Sequence, residues 1–65
     1  MRLTVNNKEG SFVSTTLSEL ISELEISTAG IAVAVNRKII SRQLWEQTVL
    51  AEGDSIVIIK AVYGG

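Results

Sequence analysis

The sequence predicts an α+β fold in which one main helix covers a small mixed β-sheet. Strand patterns occur near both ends of the chain, and one segment between them carries a helical pattern. With 65 residues, the chain forms a single domain near the lower size limit for folding alone. A domain this small has one hydrophobic core, so the helix must pack against the sheet.

The first strand is predicted from alternation at the start of the chain, which is typical of a strand with one buried face. The apolar members of this alternation are Met1, Leu3 and Val5. Residues 7–10 are polar, end in glycine and are predicted to form a hairpin turn. The return strand is then predicted at residues 11–14, with Phe12 or Val13 pointing inward.

The helix is predicted to begin after Thr16. Thr16 and Glu19 form a capping box, in which each side chain accepts a hydrogen bond from the backbone N–H of the other. Apolar residues then recur at i, i+3, i+4 and i+7, which places them on one face of a helix. These residues are Leu17, Leu20, Ile21 and Leu24. The acidic residues on the other side are predicted to be a solvated face, because no other polar group converges on them as a catalytic carboxylate pair would need.

A third strand is predicted at residues 31–35, where bulky and small residues alternate. The bulky residues are Ile31, Val33 and Val35, and we expect them to meet the apolar stripe of the helix. Ala32 and Ala34 then face outward and leave a shallow surface that another protein can approach.

Short elements are predicted between the third strand and the last one. Residues 36–38 turn the chain into a brief edge strand at residues 39–40, and Ser41 is expected to cap a single helical turn. Trp45, the only tryptophan, is predicted to plug one end of the core, with a partner contact as the alternative. The basic residues here are predicted to be solvated, with docking to an acidic partner as the alternative. They are Arg37, Lys38 and Arg42.

The last strand is predicted at residues 55–62, after a tight turn at residues 52–54. Its apolar run is continuous, which indicates a central strand with two covered faces, or with one buried face and one interacting face. If Ile56 and Ile58 face the helix, an apolar patch forms on the outer side of the sheet. The predicted docking patch consists of Ala32, Ala34, Val57, Ile59 and Ala61. Such patches mark interaction sites, although a central strand is apolar on both faces in any case.

The order of elements is strand, strand, helix, strand, short elements, strand. A right-handed crossover brings the last strand back parallel to the first and places both in the middle of the sheet. This is the β-grasp arrangement, with four to five strands. We predict that residues 1–62 form this domain and that residues 63–65 form a flexible tail.

The composition excludes several classes of protein. The formal net charge is −1, and no clustered basic face indicates a nucleic-acid partner. The sequence has neither cysteine nor histidine, which excludes disulfides, thiol catalysis and the common zinc sites. No apolar run approaches the length of a membrane span, and the start of the chain lacks a signal-peptide pattern. A reducing, cytoplasmic setting fits this composition.

The terminal residues Gly64 and Gly65 are the candidate reactive site. Glycine lacks a Cβ, so its backbone can enter a narrow slot. Four extended residues, from Val62 through Tyr63 to Gly65, reach about 13 Å. We interpret them as an acyl terminus that enters the active site of another protein; a terminus without a role is the alternative. The chain offers no acid, base or nucleophile suited to this chemistry, so we expect a cosubstrate and not an enzyme.

Several motifs together carry a resemblance to a known family. They are the first strand ending at Asn6, the helix start at residues 16–21, the apolar strand running into Asn36, the Ile39-Ile40-x-Arg42-x-x-Trp45 segment, Gly53-Asp54, and the terminal Gly64-Gly65. On these residues the chain resembles the ThiS-type, ubiquitin-like sulfur carriers of thiamine biosynthesis, over essentially its whole length. Ser41 departs from the family, which often has a proline before the arginine.

The resemblance implies a function in three steps. An ATP-dependent, E1-like adenylyltransferase activates the Gly65 carboxylate as an acyl-adenylate. Sulfur from a persulfide donor replaces AMP and leaves a thiocarboxylate, which thiazole synthase uses to build the thiazole ring of thiamine. The resemblance implies no bound cofactor, since ATP is used by the activating partner, and a carrier that is monomeric on its own.

Three alternatives stay open at this point. The small subunit of molybdopterin synthase shares the fold and the tail, but it is usually longer, and the Arg42-x-x-Trp45 segment favours the thiamine branch. A protein modifier would use Gly65 to form isopeptide bonds with lysines. A non-covalent β-grasp binding module would leave the terminus unused.

Overall fold

The first two strands form an antiparallel hairpin that turns at Asn6 and Asn7. In the computed structural model, which describes residues 1–60, β1 spans Arg2–Val5 and β2 spans Lys8–Ser11. The two turn residues have φ values of 49° and 68°, in the left-handed region that asparagine tolerates better than most residues. Two successive residues with positive φ give the tight turn whose twist matches that of the flanking strands.

The predicted position of the return strand at residues 11–14 is therefore wrong. Lys8 pairs with Val5, so three of the four residues predicted as the turn, Lys8 to Gly10, already belong to β2. The Phe12 N–H donates to the Met1 carbonyl at 2.8 Å, and the chain then leaves the sheet toward the helix. Of the two inward candidates, Phe12 packs against the core, whereas Val13 is 88% exposed.

The helix α1 spans Leu17–Glu23, and its predicted capping box is confirmed. The Glu19 N–H donates to Thr16 Oγ1 at 3.2 Å, and the Thr16 N–H donates to Glu19 Oε1 at 3.2 Å. The predicted apolar stripe faces the sheet, because three of its members are buried and Leu24 packs against them. The helix ends where Glu25 takes a φ of 57°, a left-handed conformation common just after helices.

The second hairpin joins β3, Ile31–Val35, to β4, Lys38–Ile40. Its turn residues Asn36 and Arg37 have φ values of 51° and 71°, so this turn has the same form as the first. Val33 is buried and Ala32 is exposed, which confirms the predicted orientation of β3. The predicted edge strand is also confirmed, and it begins one residue earlier than expected.

A 3₁₀ helix, Arg42–Gln47, follows β4 and closes one end of the core. Trp45 is buried, and its indole Nε1–H donates to the Ile40 carbonyl at 3.0 Å, so the predicted plug is confirmed. Ser41 occupies the N-cap position but makes no side-chain capping bond; the predicted capping by its hydroxyl is wrong. Arg42 is exposed, as expected, and its Nη2 donates to Thr28 Oγ1 at 3.1 Å.

The last strand, β5, spans Ser55–Lys60 and lies at the centre of a five-stranded sheet. The strand order is β2-β1-β5-β3-β4, with β5 parallel to β1 and antiparallel to β3. A tight turn precedes β5, as predicted: the Asp54 N–H donates to the Ala51 carbonyl at 3.0 Å, and Gly53 has a φ of 85°. The predicted extension of this strand to residue 62 lies outside the described residues.

The core lies between α1, the 3₁₀ helix and the inner face of the sheet. Its buried apolar members are Leu3, Leu17, Leu20, Ile21, Val33, Trp45, Leu50 and Ile56. Within residues 1–60, the element order, the strand directions and the single α-helix are those of the predicted β-grasp fold.

Candidate functional site

The central strand β5 leads directly into the residues predicted to carry the chemistry. Those residues, Val62, Tyr63, Gly64 and Gly65, lie outside the described part of the chain, as does Ala61 of the predicted docking patch, and their predicted roles stay predictions. The structure does describe the strand from which they continue. β5 is hydrogen-bonded to β1 on one side and to β3 on the other, so the tail continues from the central strand of the sheet.

Two asparagine side chains hold β5 at different points along its length. Asn36 Oδ1 accepts from the Ser55 N–H at 3.0 Å, and Asn6 Oδ1 accepts from the Ile58 N–H at 2.8 Å. Each asparagine is the first residue of a hairpin turn, where the neighbouring strand stops. Its side chain therefore supplies one more rung of the ladder beyond the last backbone pair.

The outer face of the sheet carries an apolar patch along β5 and β3. Ala32 lies opposite Ile59, and Ala34 lies opposite Val57, in the register of the two strands. Ile59 is 59% exposed and Val57 is 38% exposed, so these side chains lie on the face away from the helix. The structure thus brings together four of the five residues predicted as a docking patch, and their role in docking stays a prediction.

Ile39 extends the patch and is missing from the predicted set. It lies opposite Ala34 on β4 and is 76% exposed. The signal that could have found it is the neighbouring Ile40, which packs against the core: successive residues of a strand point to opposite faces, so one of the two isoleucines has to face outward. We call Ala32, Ala34, Ile39, Val57 and Ile59 the outer patch.

The other half of the outer face, over β1 and β2, is polar. Arg2 Nη2 and Glu9 Oε1 form an ion pair at 3.0 Å across these two strands. The hydrogen bond to Glu9 raises the pKa of Arg2. The outer face is therefore divided into a charged half and an apolar half, and the apolar half contains the strand that leads to the tail.

The helix carboxylates Glu19 and Glu23 bind the segment that enters the helix, so they are more than the solvated face predicted. The backbone N–H and hydroxyl of Thr15 donate to Glu19, both at 2.8 Å, and lower the pKa of that carboxyl. The Ser14 hydroxyl and N–H donate to Glu23, and the hydroxyl is the main cause of a lowered pKa there. Each carboxylate is occupied by local donors, which is a structural role.

A cleft of about 460 Å³ lies on the helix side of the sheet, beneath the last residues of β5. Its lining is Val5, Asn6, Leu24, Ile26, Ser27, Ile31, Ile58 and Lys60. The sequence gives no direct signal of this cleft, because its walls come from three strands and the segment after the helix. Lys60, the last described residue, stands at its edge.

Neither a metal site nor a membrane span is found in the described part of the chain. Across residues 1–60, no group of three or more acidic, histidine or cysteine side chains is placed to hold a metal ion. No helix among these residues is long and apolar enough to cross a bilayer.

Comparisons with known proteins agree on one family. The sequence model of the ThiS family matches residues 3–65. The chain is 36% identical over 50 residues to the sulfur carrier protein ThiS of Escherichia coli (strain K12), an alignment covering 77% of this chain and 76% of that protein. It is similar to the crystal structure of a thiamine biosynthesis protein (ThiS) from Geobacter metallireducens, with a TM-score of 0.86, 28% identity and full coverage of both chains. A solution structure of a thiamine biosynthesis protein from that organism gives a TM-score of 0.79 at 28% identity, covering 100% of this chain and 88% of the other.

Proposed function

This chain belongs to the ThiS family, and from that membership we propose that it is a sulfur carrier of thiamine biosynthesis that bears its sulfur on Gly65. The observation that carries the proposal is that the family match runs through residue 65, so it includes the terminal diglycine. In this proposal the chain is a cosubstrate of other enzymes and catalyses no step itself.

The chemistry must first convert the terminal carboxylate into an electrophile. A carboxylate resists nucleophiles because its negative charge is delocalised over both oxygens. We propose that a carboxylate oxygen of Gly65 attacks the α-phosphate of ATP in an E1-like adenylyltransferase, which releases pyrophosphate and forms an acyl-adenylate. This step neutralises the charge and provides AMP as a leaving group.

Sulfur transfer then proceeds at the activated carbon. The terminal sulfur of a persulfide donor bonds to the acyl carbon as AMP leaves, which gives an acyl disulfide. A thiol reduces its S–S bond, and the sulfur stays on Gly65 as a thiocarboxylate. Thiazole synthase is the proposed acceptor of this sulfur. A reducing, cytoplasmic setting would supply the thiol that cleaves the acyl disulfide and would keep the thiocarboxylate from oxidising.

Water must be excluded while the adenylate exists, because hydrolysis would return the carboxylate. The tail therefore has to be enclosed by the partner. Gly64 supports this proposal because a side chain there would crowd a narrow channel. The outer patch supports it as well, because exposed apolar surface on β5 and its neighbours gives the partner a place to bind while residues 62–65 enter its active site.

The proposal is tested by loading the terminus and weighing the product. The full chain is incubated with the adenylyltransferase, ATP and a persulfide source, and its intact mass is measured. We expect the mass to increase by the difference between one sulfur atom and one oxygen atom. This increase should be absent from a variant that lacks Gly65. The deletion variant should keep the far-UV circular dichroism of the wild type, which separates loss of the reactive group from loss of the fold. A wild-type chain that gains no sulfur would contradict the proposal.

The same measurement in a cell lysate separates a carrier from a protein modifier. A carrier is recovered only as the free protein or its thiocarboxylate. A modifier would also be recovered as a series of heavier adducts joined through Gly65 to lysines of other proteins.

A further inference from the structure

The central strand β5 extends beyond the end of its neighbour β1. The two strands are paired only at Thr4 with Ser55 and at Val5 with Ile56, because β1 turns away at Asn6. On the other side, β3 stays paired with β5 as far as Lys60. The last residues of β5 therefore have a neighbouring strand on one side only.

The backbone groups on the open side can be identified from the bonds that precede them. The Ile56 carbonyl accepts from the Asn6 N–H at 2.9 Å, and the Ile58 N–H donates to Asn6 Oδ1 at 2.8 Å, so even-numbered residues of β5 direct their backbone groups toward β1. The next two groups in this row are the Ile58 carbonyl and the Lys60 N–H. Among residues 1–60, no group hydrogen-bonds to either of them.

The cleft described above lies directly beneath this open edge. Ile58 and Lys60 form part of its wall, and Leu24, Ile26 and Ile31 supply apolar surface. Its volume of about 460 Å³ falls within the range of roughly 300–1,000 Å³ that is typical of ligand pockets. An open strand edge above an apolar cleft is the combination that binds an extended peptide: backbone bonds hold the strand, and the cleft takes a side chain.

We propose that an extended segment of the enzyme that loads Gly65 adds to this edge as a short β-strand. Its backbone hydrogen-bonds to the Ile58 carbonyl and the Lys60 N–H, and one of its apolar side chains enters the cleft. This inference rests on the proposed function, because a partner that encloses residues 62–65 must surround the chain close to Lys60. The added strand closes the entrance through which water would otherwise reach the acyl-adenylate.

The charge at the cleft indicates the chemistry of the added segment. Lys60 is exposed at the edge of the cleft, and among the described residues its ammonium forms no ion pair. A carboxylate of the segment placed beside it would gain a charge-assisted hydrogen bond. The segment therefore combines an apolar residue, directed into the cleft, with an acidic residue near Lys60.

The first test removes the edge donor and keeps the rest of the strand. Lys60→Pro eliminates the N–H that faces the open side, where a proline is tolerated in a sheet. We expect the KM for adenylation by the cognate adenylyltransferase to be about tenfold higher for Lys60→Pro than for Lys60→Ala, the loss associated with one hydrogen bond of roughly 1.4 kcal/mol. Lys60→Ala is the matched control, because both variants lack the ammonium and only the proline variant lacks the N–H.

The second test blocks the cleft. Ile26→Glu puts a charge into its wall and should raise the KM by about tenfold or more, because an apolar side chain can no longer enter beside it. Val13→Glu is the control: Val13 is also apolar and exposed, but it precedes the helix and is not part of the cleft. If the wild type is loaded and all four variants share its KM, the added strand is ruled out while the carrier function stands. A wild-type chain that the enzyme does not load overturns both proposals.

Hydrogen exchange of the Lys60 amide identifies the occupant of the edge. We expect fast exchange in the free protein and exchange slowed about tenfold or more in the complex with the adenylyltransferase. Slow exchange in the free protein that is lost when residues 61–65 are deleted would assign the edge to the protein's own tail. Slow exchange that depends on protein concentration would assign it to a second copy. Either result overturns the proposal.

Discussion

Asn36 Nδ2 donates a hydrogen bond to Asp54 Oδ1 at 2.9 Å, although the two residues are 18 positions apart in the sequence. The same asparagine accepts from the Ser55 N–H, and Asp54 Oδ2 accepts from the Ala51 N–H at 2.8 Å. One side chain thus joins the turn between β3 and β4 to the turn that precedes β5. These contacts fix the start of the strand from which the tail continues.

Replacing Asn36 with glycine separates these side-chain bonds from the backbone conformation. Glycine accepts the φ of 51° without strain but cannot bridge Asp54 and Ser55. We expect Asn36→Gly to lower the free energy of unfolding by about 1–2 kcal/mol, measured by urea denaturation. Arg37→Gly is the control: it relieves a φ of 71° in the same turn without removing the bridge, so it should leave stability unchanged or raise it by about 0.5 kcal/mol. Equal destabilisation by both variants would contradict the role assigned to the Asn36 side chain.

Trp45 provides a test of the core, because its side chain is both buried and hydrogen-bonded. Trp45→Phe leaves a gap and removes the partner of the Ile40 carbonyl. We expect a loss of about 2–3 kcal/mol, followed by circular dichroism, since the variant lacks the only tryptophan. Leu44→Ala in the same 3₁₀ helix is the control: Leu44 is 49% exposed, and its loss should cost less than about 1 kcal/mol. A tryptophan that contacts partners and contributes little to the fold would give similar small losses at both positions.

The two hairpins show why one turn is predictable from the sequence and the other is placed too late. Residues 36–38 interrupt two apolar runs, so the second turn is evident. In the first hairpin, Lys8 and Glu9 have the polarity of turn residues, yet they belong to β2. They are polar because β2 is an edge strand with exposed side chains, and charged residues protect such edges from pairing with other chains.

The candidate site also has one part that the sequence predicts and another that it does not. The outer patch follows from alternation along β3 and β5, because a period of two fixes which side chains share a face. The cleft and the open edge do not follow from any local pattern. They depend on where β1 stops relative to β5, which is fixed by the bond between Asn6 and Ile58, 52 positions apart in the sequence.

The acidic residues of the helix predict a loss of stability in acid. The donors of Thr15 and Thr16 hold the pKa of Glu19 below its ordinary value of 4.5, so the unfolded chain binds a proton at a higher pH than the folded one. The stabilisation contributed by the Glu19 carboxylate is complete above the pKa of the unfolded chain. It is lost as the pH falls through the lower pKa of the folded protein. Thermal unfolding followed from about pH 6 to about pH 3 should therefore depend less on pH in Glu19→Gln than in the wild type.

The control for this prediction is Glu46→Gln, an identical change of charge in the 3₁₀ helix. The Glu46 carboxylate accepts no hydrogen bond from the described part of the chain. This control should retain the acid-dependent loss of stability that Glu19→Gln lacks. Identical profiles for the Glu19 variant and the wild type would contradict the role assigned to the capping carboxylate.

The outer patch predicts that a charge at its centre weakens loading without unfolding the carrier. Ile59 is 59% exposed and lies next to Ala32 on a face that is not part of the core. We expect Ile59→Lys to raise the KM for adenylation by about tenfold or more, because the ammonium would be desolvated against an apolar partner surface. Its free energy of unfolding should change by less than about 1 kcal/mol.

Val49→Lys is the control: Val49 is 74% exposed but lies outside the sheet, beside the start of α1. If both lysine variants raise the KM equally, long-range charge is responsible and the partner does not bind at the patch; if neither does, the partner binds elsewhere.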